Sequence, residues 1–342
     1  MLKKPRKWLV LLGFILVFPL AAQASVLGVA GEYNIFAIHD VKLWGTDVEG
    51  RLAAGNNVSL GKVGEGRGFA VARTVEYPQG LPDLVAGRNV KLRNGSVGYF
   101  AGTNSGVDEY PNGTIFYGRK AKIANDVGYG AAIRGNPIDF ATETNYLNSA
   151  SSLWGGLASN GTAEFFTNDK NKLYRIQLTG TDSQLNVFNL DASDIGRKFG
   201  FYIDAPLTST VLINVTGSAR LVDFGFYFRD WGDVLAGEDY IPGSSDFYPH
   251  SNILFNFVDA EHLFINKIEL NGSILAPYAD VLFGKRSHID GNLIAYSIFG
   301  QGEAHNIHFG GKLPKPVPEP ATLILLGLGL AGVTAARRRI NF

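Results

Sequence analysis

Ala54-Gly55-Asn56-Asn57-Val58-Ser59-Leu60 recurs as Ala86-Gly87-Arg88-Asn89-Val90-Lys91-Leu92, an offset of 32 residues. A second unit, Asn-Gly-[Ser/Thr]-[Val/Ile], stands at Asn94–Val97, Asn112–Ile115 and Asn271–Ile274, the first two copies 18 apart. Repeats at intervals suited to one or two coils point to a stacked structure, in which a single coil cannot bury its apolar face alone and gains a core from its neighbours. Asn and Gly belong at the corners, where left-handed backbone angles are needed and an Asn side chain bonds to nearby backbone. The expected fold is mainly β, a right-handed β-solenoid. The competing arrangement is a β-sandwich with Asn-Gly hairpins.

The remainder of the chain agrees with a β-rich, turn-rich body. Glycine supplies 42 of 342 residues, well above the usual share of about 7%. Short β-branched and aromatic runs broken by Gly, Asn and Asp read as strands at Leu173–Leu178, Leu185–Leu190, Val211–Val215, Ile253–Val258 and Leu263–Ile268. One segment differs: Phe140, Tyr146, Leu147, Ala150, Leu153, Trp154 and Leu157 follow helical spacing behind a capping Asp139. An amphipathic helix over about 140–158 is expected, lying along the sheet or closing a solenoid end. Asp230–Phe247, rich in Gly and acidic residues, reads as a surface loop.

Both ends read as addresses. Basic Met1–Lys7, apolar Trp8–Leu20 and the small-x-small Ala22-Gln23-Ala24 make a signal peptide of residues 1–24, cleaved after Ala24. An uncleaved anchor is the alternative, but the 13 apolar residues of Trp8–Leu20 span only about 20 Å as a helix, against about 30 Å of hydrocarbon. The body runs over 25–313, followed by a Pro-rich linker at 314–320. Residues 321–342 comprise apolar Ala321–Ala336, a transmembrane helix, and Arg337-Arg338-Arg339 as a cytoplasmic stop-transfer cluster. The chain has 31 basic and 31 acidic residues; seven basic residues and no acidic one lie in 1–24 and 321–342, so the part between is acidic on balance. That balance argues against nucleic acid or anionic lipid as the body's partner. Cysteine is absent, which excludes disulfides, Cys-ligated zinc, iron–sulfur clusters and a thiol nucleophile.

Val317-Pro318-Glu319-Pro320, the apolar segment and the arginine cluster together resemble a PEP-CTERM sorting signal. The resemblance implies a bacterial protein with an exopolysaccharide-associated export system, whose tail is recognised by an exosortase-type enzyme and removed near the Pro-Glu-Pro. Within the body, Asp47–Gly55, Leu185-Asn186-Val187-Phe188, Gly272–Pro277, Gly291–Ala295, Gly302–His305 and Phe309-Gly310-Gly311 resemble the choice-of-anchor A domain. That resemblance implies an extracellular, surface-associated domain and carries no activity with it. The Gly-Ser-Ile-Leu-Ala-Pro and Gly-Asn-Leu-Ile-Ala phrases also resemble coils of ice-binding β-helix proteins.

Polar chemistry concentrates in two places. His288, Asp290, Glu303, His305 and His308 include the metal candidates Glu303, His305 and His308, since carboxylate and imidazole one coil apart can share a cation. Their spacing matches no known zinc or calcium pattern, and a purely structural role in turns and strand ends accounts for them equally. Arg229, Asp230 and Asp233 around Trp231, with Glu238, Asp239 and Asp246, are the nearest approach to a polysaccharide-cleaving carboxylate group. Gly61–Gly68 lacks the elements of a phosphate loop. The function expected is non-enzymatic and cofactor-free: an exported surface or exopolysaccharide-matrix protein that binds or supports. The alternative is a polysaccharide-processing enzyme using carboxylates near Asp230. Ice binding ranks last because no Thr-x-Thr ladder is present.

Overall fold

The two copies of the seven-residue phrase lie one directly on the other: Ala54 pairs with Ala86, Asn57 with Asn89, Val58 with Val90 and Leu60 with Leu92, all in parallel register. These pairings come from a computed structural model, which describes residues 25–316 except 63–67, 76–79, 99–111, 168–169, 171–172, 196–199, 223–224 and 229–249. The segment expected as a signal peptide at 1–24, the sorting motif and expected terminal helix at 317–342, and the carboxylates around Asp230 lie outside the described residues.

The strands form a β-solenoid with three faces. On the first face the order is Leu185–Asp191, Thr210–Thr216, Ile253–Phe257, Ser273–Phe283, Leu293–Gly300, Ile35–Ala37, Leu52–Ala54, Leu84–Ala86, Thr114–Tyr117 and Ala131–Arg134, parallel throughout. The second face carries Ala219–Val222, His262–Asn266, the far halves of Ser273–Phe283 and Leu293–Gly300, then Val41–Leu43, Asn57–Leu60, Asn89–Leu92 and Lys120–Ile123. The third runs from Glu269–Asn271 through His288–Asp290, Glu303–His305, Asp47–Val48, Phe69–Val71 and Gly95–Val97 to Val127–Gly128. A four-stranded sheet (Thr162–Thr167, Leu173–Thr179, Gly200–Asp204, Gly225–Phe228) completes the far end, its outermost strand antiparallel.

The chain order differs from the spatial order. Ile35–Ala37 sits in the middle, paired on one side with Leu52–Ala54 and on the other with Leu293–Gly300. Residues 35–134 therefore build outward to one end, and residues 162–305 begin at the opposite end and build back to the first coil. Helix α1 (Phe140–Gly155) makes the return. Its 16 residues span about 24 Å, the same as five strand spacings of about 4.8 Å. Five steps separate the Leu52–Ala54 strand from Thr210–Thr216; α1 starts over the former, with Phe140 against Gly55, and the Trp154 carbonyl meets Asn214 of the latter.

Two apolar cores result. One fills the solenoid, where Val41, Val58 and Val90, and Leu43, Leu60 and Leu92, stack coil on coil. The other lies between the outer side of the first face (Phe36, Ala53, Val85, Leu212, Leu254, Leu275, Ile294) and α1 with Leu147, Ala150 and Trp154. Strands buried on both sides explain the unbroken apolar phrases of this face, such as Leu52-Ala53-Ala54. Asp139 caps α1, accepting from the Thr142 amide at 3.1 Å.

Three expectations need correction in detail. The helix ends at Gly155, before 158, because residues 157–161 turn to cover the edge strand Leu185–Asp191: the Asn160 amide donates to the Val187 carbonyl at 3.2 Å. Leu153 is exposed, and its place on the buried side is taken by Glu143 and Ser151. The Asn-Gly units 18 apart are successive corners, one leading into a third-face and the other into a first-face strand, and do not stack. Of the two placements expected for the helix, the one along the sheet is observed: α1 packs on the outer side of the first face.

Two side-chain networks fix the return. Asn189, Asn214 and Asn256 occupy one register across adjacent strands. Asn256 Nδ2 donates to the Ser151 carbonyl and to Asn214 Oδ1, both at 2.9 Å; Asn214 Nδ2 donates to the Trp154 carbonyl and Asn189 Oδ1, also at 2.9 Å; Asn189 Nδ2 reaches the Leu157 carbonyl at 3.0 Å. The ladder thus ties the end of α1 and Leu157 beyond it to the sheet through their backbone carbonyls. At the other end Glu143 accepts from the Ala30 amide at 2.9 Å, tying α1 to the 3-10 turn Gly28–Glu32; burial holds this carboxyl above its ordinary range.

Candidate functional site

Because a strand points alternate side chains in opposite directions, each face of a solenoid presents outward ranks that cross its strands. On the first face this rank is buried under α1. On the second it is open to solvent, and register defines it: Arg220, Phe264, Leu282, Phe299, Lys42, Ser59, Lys91, Lys122. Arg220 packs over the Phe264 ring at 4.7 Å. Leu282 is 48% exposed, and Tyr278 (48%) and Tyr296 (41%) continue the apolar strip toward the first face. An open groove of about 600 Å³ lies among Arg220, His262, Phe264, Asp280, Leu282 and Phe299.

The corner beside this rank is equally regular. Successive amides donate to the carbonyl one coil away: His39 to Tyr296 at 2.7 Å, Asn56 to His39 and Arg88 to Asn56 at 2.8 Å, Arg119 to Arg88 at 2.6 Å. The His39 ring stacks on Tyr296, centroids 5.1–5.4 Å apart being typical of such pairs in this molecule, here 5.4 Å with planes 4° apart. Between corner and central rank, Asp40 Oδ1 accepts from Asn56 Nδ2 and from the amide and Nδ2 of Asn57, all at 2.9 Å, and Asn89 Nδ2 donates to Asn57 Oδ1 at 2.7 Å. The result is a preorganised surface with Arg220 and the aromatic and apolar groups toward one end and lysines toward the other.

The third face brings together four of the five polar residues singled out in the sequence. Register pairs His288 with Glu303 and Asp290 with His305. His305 Nδ1 lies 2.5 Å from Asp290 Oδ1, its ring stacks on His288 at 5.1 Å, and His288 Nε2 is 3.6 Å from Glu269 Oε1. The Asp290 carboxylate holds His305 protonated to higher pH than a free imidazole, against the opposing effect of partial burial. His308 stands apart: its Nδ1 bonds the Gly31 carbonyl at 2.8 Å, so that nitrogen carries the proton, and Nε2 faces Asn306 Oδ1 at 3.0 Å. It belongs to the seam between first and last coils, where Asn292 Nδ2 also donates to the Tyr33 carbonyl at 2.8 Å. Among the described residues no group of three His or carboxylate side chains is arranged to hold a metal ion.

The second-face rank was not identified from sequence. Its signal is the phrase Ala-x-x-[Asp/Asn]-Val-x-Leu, present at Ala37–Leu43 as well as at Ala54–Leu60 and Ala86–Leu92. The variable position before Leu is Lys42, Ser59 and Lys91, the outward rank itself.

Comparison with known proteins supplies two matches within the chain. An ice-binding-like adhesive domain model matches residues 26–306, and a PEP-CTERM protein-sorting motif model matches residues 316–339. No curated protein matches the chain. Among solved structures, similarity is found to an ice-binding protein from the Antarctic ascomycete Antarctomyces psychrotrophicus (10% identity, 84% of this chain and 98% of that one, TM-score 0.33). A glycosylated ice-binding protein from an Arctic yeast gives 13% identity over 85% and 96% of the two chains, TM-score 0.34. One from an Antarctic Flavobacteriaceae bacterium gives 11% over 82% and 81%, TM-score 0.32. The sorting motif implies an exported protein processed by an exosortase-type system. The chain belongs to the ice-binding-like adhesive domain family and carries a PEP-CTERM sorting motif behind that domain.

Proposed function

We propose that the protein is a non-enzymatic adhesive of the bacterial surface or its exopolysaccharide matrix, exported by its N-terminal signal, held by residues 321–342, and released near Val317-Pro318-Glu319-Pro320. The body, 25–313, acts by binding. The observation that carries this reading is the exposed second face, whose aromatic and apolar rank lies on a frame of stacked strands and needs no rearrangement to meet a long ligand. Carbohydrate rings have apolar faces that stack on aromatic side chains, and a rigid binder loses little entropy on contact. The likeness to choice-of-anchor A domains supports the same reading, a surface domain joined to a separate anchoring signal.

Ice is disfavoured as the ligand by the chemistry of the rank, which holds Arg220, Phe264, Leu282, Phe299 and Lys42 in succession, with no threonine in it. Co-sedimentation of purified 25–316 with the host's exopolysaccharide, with polymer length measured afterwards, tests the proposal. Binding with unchanged length is expected. Shortening of the polymer would establish an enzyme, and recovery of all protein in the supernatant would reject the matrix role.

A further inference from the structure

The body is acidic on balance, yet its charges are not evenly spread. On the second face of coils 35–134, Lys42, Lys91 and Lys122 occupy the exposed central rank, Lys120 extends the flanking rank, and Arg88 and Arg119 stand at the corner. Among the described residues the carboxylate inside this patch is Asp40, whose Oδ1 already accepts from the Asn56 and Asn57 N–H groups. The aromatic half of the same rank, Phe264 and Phe299, runs directly into it at Lys42. A cationic strip on an anionic protein focuses the local field toward anionic ligands while the remainder repels them. Strands spaced by about 4.8 Å place successive rank positions at intervals comparable with one pyranose residue.

We propose that this face binds an anionic, carboxylate-bearing polysaccharide laid across the strands along the solenoid axis, its ring faces on Phe264, Leu282 and Phe299 and its carboxylates at Lys42, Lys91 and Lys122. The assignment rests on the adhesive reading above and adds the ligand's charge and direction. A membrane surface fits less well, because the strip is one rank wide and bordered by an acidic third face with Glu269, Glu303 and Asp47.

The test uses the full chain purified in non-ionic detergent, with polygalacturonate, neutral dextran and phosphatidylglycerol vesicles as probes. Polygalacturonate should bind more tightly than dextran, and its Kd should rise steeply with salt, since exposed charges are screened within about 10 Å at 0.1 M. The triple variant Lys42→Gln/Lys91→Gln/Lys122→Gln should keep its unfolding temperature and lose about tenfold in affinity, about 1.4 kcal/mol, together with most of the salt dependence. Phe264→Ala with Phe299→Ala should weaken binding and leave the salt dependence intact. Undiminished polygalacturonate binding by the lysine variant overturns the assignment, as does tighter binding to vesicles than to polygalacturonate. Dextran bound by the parent as tightly as polygalacturonate would overturn the charge assignment and leave the adhesive reading standing; binding to no polymer, the host's included, would remove both.

Discussion

Residues 35–134 and residues 162–305 build the same interior and opposite exteriors. Inside, both stacks carry aliphatic columns: Val41, Val58 and Val90 continue into Ile298 and Val281 across the seam. Outside, on the second face, the first stack carries Lys42, Ser59, Lys91 and Lys122, and the second carries Phe299, Leu282, Phe264 and, at its end, Arg220. An inward side chain packs on its equivalents one coil above and below, so stacking selects like residues there; an outward one meets solvent and is free to vary with the ligand. Their ends differ as well. The 162–305 stack is closed by the antiparallel strand Thr162–Thr167 and by residues 157–161. The 35–134 stack ends in strands whose residues are exposed, protected by Arg119, Lys120, Lys122 and Arg134, since charge on an edge discourages pairing with another chain.

The largest break in this comparison should come from the helix that joins the stacks. Trp154 is fully buried on the first face, so Trp154→Ala should cost about 3–5 kcal/mol; denaturant titration would read it, and a loss below 1 kcal/mol would mean that α1 adds little to holding the two stacks together. Next, the asparagine ladders sharpen the contrast. Asn256 is buried and bonded to Ser151 and Asn214, so Asn256→Ala leaves polar groups without partners and should cost about 1–3 kcal/mol. Asn89 bonds to Asn57 where water has access, and Asn89→Ala should cost about 0.5–1 kcal/mol. Equal losses would erase the distinction between a ladder that fastens the helix and one that lines the surface.

The smallest effect belongs to the third face. His305 has a folded-state pKa above its ordinary value of 6.5 because the Asp290 carboxylate accepts a hydrogen bond from its protonated ring. Its stabilisation is therefore full below about 6.5 and is lost as pH rises through the folded value. The pair is only partly buried, which limits the contribution to about 1 kcal/mol or less. Thermal unfolding should weaken slightly on going from pH 6 to pH 8, both set about one unit from neutrality where an imidazole titrates, and His305→Asn should flatten that slope; an unaltered slope would assign it to other groups.

Much of this was legible in the chain. The 32-residue repeat placed Asn57 on Asn89 and Val58 on Val90, and Asp139 marked the start of α1 to the residue. His288, Asp290, Glu303, His305 and His308 were grouped from the sequence as residues able to meet one coil apart, and register pairs His288 with Glu303 and Asp290 with His305 while His308 stands elsewhere. Other features were hidden for physical reasons. Coil length varies, with offsets of 17, 32, 25, 42 and 19 between stacked polar partners, so no single period reveals the outward rank. Glu143 and Ser151 interrupt the apolar stripe of α1 because each bonds a specific backbone or amide group elsewhere, and periodicity counts only apolar positions.

By itself the sequence determined local matters: which phrases make strands, where Asn and Gly turn the chain, which stretch is helical, and the sorting motif behind the body. These depend on side-chain period, backbone freedom and short-range capping, all contained within a few residues. Only the tertiary structure decided that the chain starts mid-stack, builds to one end, and returns along α1 to begin again at the other. Pairing Leu293 with Ile35 joins residues at opposite ends of the body, and no local signal encodes that choice. It follows from closure: a parallel stack buries its central edges only when the last coil docks on the first. The same docking sets Phe299 beside Lys42 and so creates the mixed aromatic and cationic face from segments that neither stack holds alone.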